Sequence, residues 1–174
     1  MRVVLIHGSV GNGPMTWPSI EPLRERFDVV LPNRGGYPPG PPLDRIDFET
    51  QAEELAPLLE DGAHLVGHSY GGVISLLIAA RYPERVRSLA VSEPPAFGVA
   101  RGRPEVERLL AELAAAPFPK LVLSGAHHPA FDAVCDVLEE RLGAERAVLP
   151  GAGHSLPRAP GYAERLEGFL SGNT

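Results

Sequence analysis

The chain has 174 residues, 44% hydrophobic and 22% charged, with a formal net charge of −6. These values fit one soluble globular domain whose core needs neither disulfides nor metals. The acidic balance and the lack of any basic block argue against a nucleic-acid partner. The single cysteine, Cys135, excludes a disulfide framework and a cysteine-based zinc site, and no apolar run approaches the ~20 residues of a membrane span.

In chain order, Val3–Ile6 is an apolar run without period-2 alternation, the pattern of a strand buried on both faces. It is too short for a signal-peptide core, so a cytoplasmic location is expected. Gly11-Asn12-Gly13 lacks the lysine and hydroxyl of a phosphate loop. Ile20, Leu23 and Phe27 have helical spacing, with Trp17 before them read as core. Val29–Leu31 is a second strand. The stretch from Asn33 to Asp44, rich in glycine and proline, reads as irregular. Phe48, Leu55, Leu58 and Leu59 mark a helix that Pro57 should kink or end early. His64–Val66 is a third strand, and Val73–Ala80, apolar all round, is a helix packed on two sides. Ser88–Val91 is a strand, followed by an irregular stretch from Glu93 to Arg103. Pro104 suits the first position of a helix carrying Val106, Leu109, Leu110 and Leu113. After a strand at Leu121–Leu123, Pro129 opens a helix with Phe131, Val134, Cys135, Leu138 and Leu142 on one face, which makes Cys135 an inert core residue. Ala147–Leu149 is the last strand, and Tyr162, Leu166, Phe169 and Leu170 mark the last helix. This alternation predicts an α/β fold over residues 1–174: one doubly wound, mainly parallel sheet of about six strands.

Gly67-His68-Ser69-Tyr70-Gly71 fits G-x-S-x-G, placed between the third strand and the all-apolar helix. A serine at the tip of so sharp a turn needs strained backbone angles, and the residues two before and two after crowd each other, so both are glycine. The turn aims the N–H of Tyr70 and the positive end of the helix at a reacting oxygen. A nucleophilic serine needs a base. His154, in Gly151-Ala152-Gly153-His154, directly follows the last strand, on the same sheet edge as Ser69, and a flexible Gly-x-Gly loop lets its imidazole swing into reach.

Leu5-Ile6-His7-Gly8, Arg34-Gly35-Gly36, Gly67 to Gly72, Tyr82-Pro83-Glu84-Arg85-Val86 and Pro150 to His154 together resemble the α/β-hydrolase fold superfamily over essentially the whole chain. The resemblance implies acyl transfer by a Ser–His–acid triad, an oxyanion hole made by the N–H groups of Ser9 and Tyr70, and a structural His7 that holds the Ser9 loop. It also implies two reductions. The family's first two strands are missing, and only a short cap-like segment at about 94–119 stands where members carry a cap domain.

The acid departs from the family pattern, because His128 stands where its Asp belongs. A histidine cannot orient and charge-balance another histidine as a carboxylate does. Glu93 ends the Ser88–Val91 strand, where some relatives such as haloalkane dehalogenases keep their acid, and is the preferred candidate. Asp132, one turn into the next helix, and the absence of any acid are the alternatives. His127-His128 with Asp132 makes a poor metal site, since adjacent histidines point apart. The expected activity is hydrolysis of carboxylic esters with small to medium acyl or alcohol groups, using no cofactor and no metal, with a small molecule as the partner. Thioesters, lactones, amides and C–C bonds yield to the same constellation, and a non-catalytic ligand-binding protein would share the fold.

Overall fold

The six apolar runs become six strands in the computed structural model, which describes residues 1–96, 98 and 102–173. They are β1 (Arg2–Ile6), β2 (Asp28–Val30), β3 (Ala63–His68), β4 (Val86–Ser92), β5 (Lys120–Ser124) and β6 (Glu145–Val148). All pairs are parallel, in the order β2-β1-β3-β4-β5-β6. Side chains alternate between two cores, as the pleat requires. Val4, Ile6, Leu65, Val91 and Val122 face one core; Val3, Leu5, Val66, Ala90, Leu121 and Leu123 face the other. Helices α3 (Phe48–Leu55), α4 (Tyr70–Arg81), α5 (Pro104–Ala115) and α6 (Pro129–Leu142) cover the first face. The second face is covered by α2 (Glu21–Arg24), α7 (Tyr162–Ser171) and Trp17. The sheet is therefore doubly wound, and each fully buried Leu, Ile or Val contributes about 1.5–3 kcal/mol.

Several boundaries differ from the sequence reading, each for a local reason. The helix expected across Ile20–Phe27 is only the single turn of α2, and α1 (Gly13–Thr16) is an unexpected turn capped by Asn12, whose side chain accepts from the Met15 N–H at 3.1 Å. The Asp47 carboxylate caps α3, accepting from the Thr50 N–H at 2.8 Å. The α-helix stops at Leu55, and Pro57, with no N–H to donate, turns Ala56–Leu59 into a 3₁₀ turn. β6 begins at Glu145 rather than Ala147 because it is an edge strand, where polar residues are tolerated. Residues 97 and 99–101 of the cap-like stretch lie outside the described residues, as does the side chain of Val106. The rest of that stretch is mostly α5, which packs beside α4 and α6.

Chain order sets the location of a site. From β1 the chain passes to β2 on one side, then returns to β3 on the other. That reversal opens a crevice at the carboxyl ends of β1 and β3, the usual ligand position in an open parallel sheet.

Candidate active site

Ser69 stands at this crevice, with φ 53° and ψ −124°. A non-glycine residue held there costs on the order of 1–3 kcal/mol and persists only where the surroundings enforce it. The Ser69 N–H donates to the Ser92 carbonyl at 2.9 Å and the Gly72 N–H to the Ser69 carbonyl at 2.8 Å, which fixes the turn between β3 and α4. A Cβ on Gly67 would lie 2.5 Å from the Gly71 carbonyl and would overlap the Ser75 hydroxyl. Tight packing between the two arms of the turn thus demands a glycine.

The Ser69 hydroxyl donates to His154 Nε2 at 3.0 Å, and His154 Nδ1–H donates to Glu93 Oε2 at 2.6 Å. Glu93 is fully buried at the end of β4. Its other oxygen accepts from the Gly125 N–H at 2.8 Å and from His127 Nδ1–H at 3.0 Å. Burial pushes this carboxyl up, but the hydrogen bonds from His154 and Gly125 and the nearby imidazoles outweigh it, leaving Glu93 below its ordinary value. The alternative acid, Asp132, lies in the first turn of α6 with a carboxylate oxygen 3.9 Å from Arg146. His128 caps the same helix, its Nδ1 accepting the Ala130 N–H at 3.1 Å.

The His154 loop is not free to swing, contrary to the sequence reading. A Cβ on Gly125 would overlap the Gly153 carbonyl, so the β5 and β6 loops are in direct backbone contact. His68 Nε2–H donates to the His154 carbonyl at 2.6 Å, and the Phe131 ring lies 4.9 Å from the imidazole. Burial lowers the His68 pKa to about 4, so the ring that braces the loop is neutral. His68 has no role legible from the sequence; its signal there is its place as the variable residue before the serine. His127 likewise carried only a weak metal reading with His128 and Asp132. The structure turns His127 toward Glu93 and leaves His128 on the helix end, their ring centroids 6.4 Å apart. Among the described residues, the ligand-type atoms that converge are those of Glu93, His127 and His154, all within 4.8 Å of one another. A cation there would replace the hydrogen bonds just described.

A cavity of about 460 Å³ opens beside Ser69, lined among others by Ser9, Met15, His68, His154 and Arg158. None of its described lining residues comes from the cap-like stretch 94–119. Behind Ser9, the Arg34 N–H donates to His7 Nε2 at 3.1 Å, which leaves His7 Nδ1–H to donate to the Gly8 carbonyl at 2.9 Å. Burial lowers the His7 pKa to about 4, so this ring too is neutral. The Arg34 side chain, 1% exposed, donates to the carbonyls of His7 (3.0 Å) and Gly8 (2.7 Å) and to the Gln51 side-chain oxygen.

A sequence profile of the alpha/beta hydrolase fold matches residues 2–114. A pimeloyl-[acyl-carrier protein] methyl ester esterase from Aeromonas hydrophila is 35% identical over 99 residues, which is 55% of this chain and 39% of that protein. Its namesake from Aromatoleum aromaticum is 37% identical over 124 residues, 67% of this chain and 43% of that protein. The match thus spans only about two fifths of these relatives. Among solved structures, NosK from Streptomyces actuosus superimposes with a TM-score of 0.77 at 23% identity, covering 99% of this chain and 98% of its own. With the profile covering well over half of its length, the chain belongs to the alpha/beta hydrolase fold family.

Proposed function

We propose that the chain is a serine hydrolase of carboxylic esters. The observation that carries this reading is the continuous hydrogen-bonded path from Ser69 through His154 to a buried Glu93 at the mouth of an open cavity. Ser69 Oγ attacks the ester carbonyl while His154 Nε2 takes its proton. The proton passes to the departing alcohol, leaving an acyl-enzyme that water hydrolyses by the same route. Glu93 holds the tautomer in which Nε2 is the base, and stabilises the imidazolium. The N–H groups of Ser9 and Tyr70 donate hydrogen bonds to the developing oxyanion.

The names of the two relatives support ester substrates, methyl esters included. The cavity volume favours small to medium acyl or alcohol groups. No described helix is long and apolar enough to cross a membrane. A single buried cysteine suits a reducing compartment, so a cytoplasmic location belongs to this proposal. So does a single domain with only a short cap-like segment. The test is turnover of a short p-nitrophenyl ester, with Ser69→Ala expected to lower kcat by several orders of magnitude. Retention of more than a tenth of the wild-type rate would overturn the mechanism.

A further inference from the structure

Arg34 is a buried cation that, among the described residues, forms no ion pair with a carboxylate. Removing a charge from water without a counter-ion is costly, and a side chain placed this way calls for an explanation. Its guanidinium spends its donors on two consecutive carbonyls, His7 and Gly8, and on Gln51. The Tyr37 and Tyr70 rings flank it, with centroids 4.3 and 4.9 Å from the guanidinium carbon. Aromatic faces and carbonyl dipoles suit a guanidinium, which is weakly hydrated, but they do not neutralise it.

The carbonyl it grips belongs to the Gly8–Ser9 peptide. With His7 Nδ1–H and Arg34 both donating to Gly8 O, both lone pairs of that oxygen are used and the peptide plane is pinned from behind. The Gly8–Ser9 bond is trans, so the Ser9 N–H points opposite to the pinned carbonyl, and Ser9 lines the cavity beside Ser69. A cation on the carbonyl oxygen also polarises the amide and strengthens its N–H as a donor. We propose that Arg34 is a positioning residue for the oxyanion hole: its forked donors fix the Gly8–Ser9 peptide, and its uncompensated charge strengthens the Ser9 N–H toward a developing oxyanion. Stacking on Tyr70 ties the same guanidinium to the residue that supplies the second N–H. Gln51 completes the arrangement. A neutral amide satisfies the guanidinium there without cancelling its charge, and its own NH₂ donates to the Gly35 carbonyl at 2.7 Å.

This inference rests on reading Ser69 as the nucleophile, and its test separates the two. The measurement compares kcat/KM for a p-nitrophenyl ester with that for its thiono analogue, in which the C=O oxygen is sulfur. Sulfur is a weak hydrogen-bond acceptor, so the oxygen-to-sulfur preference reports on the oxyanion hole, and as a ratio it does not depend on the folded fraction. Arg34→Met is expected to lower kcat about 100-fold, near the cost of one lost oxyanion donor. KM should stay within threefold and the oxygen-to-sulfur preference should fall at least tenfold. Arg34→Lys, which keeps the charge but loses the fork, should recover part of both. Gln51→Glu sets a carboxylate against Arg34 and should reduce the preference while the protein stays folded, so it carries the test if Arg34→Met does not fold. Unchanged preference in Arg34→Lys and Gln51→Glu beside an active wild type would overturn the role of Arg34 alone. A wild type that turns over no ester would overturn the hydrolase reading itself.

Discussion

Glu93 concentrates the residue-scale physics of this site. A carboxylate with no solvent exposure is costly unless each oxygen is hydrogen-bonded, and here one oxygen meets His154 while the other meets Gly125 and His127. Glu93→Gln keeps the shape but removes the charge and permits the wrong His154 tautomer. In the proposed mechanism kcat should drop by up to ~10⁴. Asp132 faces Arg146 and His128 caps a helix, so Asp132→Asn and His128→Ala should change kcat only a few-fold. Steady-state kinetics of the three variants check the ranking, and a crippled Asp132→Asn beside a near-normal Glu93→Gln would move the acid to α6. His127→Leu removes a donor from one oxygen and leaves Gly125 on it, so its loss should fall between these extremes.

At the scale of elements, the site is an edge where loops from β1, β3, β4, β5 and β6 meet, and loop-to-loop contact carries the precision. Gly125→Ala would force a methyl group into the Gly153 carbonyl and displace the His154 backbone. We expect kcat to fall at least tenfold with KM little changed, since the cavity wall beside Met15 and Ser9 stays in place. Full activity in this variant would show that the β6 loop tolerates displacement. Because no described residue of 94–119 lines the cavity, turnover should rise smoothly as a substrate passes from monomer to micelle, and a sharp jump would require a moving lid. The same contrast between local and distant contacts explains what could be read from the sequence. Strands and helices announced themselves through local patterning, as did the turn at Ser69, because glycine spacing is a local consequence of sterics. The edge strand β6 was misplaced because Glu145 and Arg146 carry no apolar signal. His68, Arg34 and Gln51 showed no role in the sequence, because each acts across the fold: His68 on a carbonyl 86 positions away, Arg34 on one 26 positions away. A histidine or arginine acquires such a partner only once the loops have assembled.

The molecule as a whole has an acid-labile core. His7, His64 and His68 are all buried, and burial lowers each from 6.5 to about 4. Below pH 6.5 the unfolded chain takes up protons at these sites that the folded chain refuses until pH approaches 4. Stability is therefore complete above pH 6.5 and drains away as pH falls toward 4. At pH 4.5 each histidine costs roughly 2.5 kcal/mol by this linkage, and the three together approach the whole stability of an ordinary domain, about 5–15 kcal/mol. Glu93 acts at lower pH: its depressed folded value stabilises the protein above its unfolded value and is lost as pH falls through the folded one. Urea unfolding at pH 7, 5.5 and 4.5 should show a falling midpoint. His64 provides an internal control, because it sits at the start of β3, roughly 16 Å along the strand from Ser69. Its imidazole is held by the Ser88 hydroxyl at 2.7 Å and packs edge-on to Phe27. His64→Leu removes one of the three titrations without touching the site, so the stability lost between pH 7 and 4.5 should shrink by about 2.5 kcal/mol while ester turnover at pH 7 is retained. Equal wild-type stability at pH 7 and pH 4.5 would mean that these rings take up protons in the folded state as readily as in the unfolded chain, and the neutral roles given to His7 and His68 would fall with it.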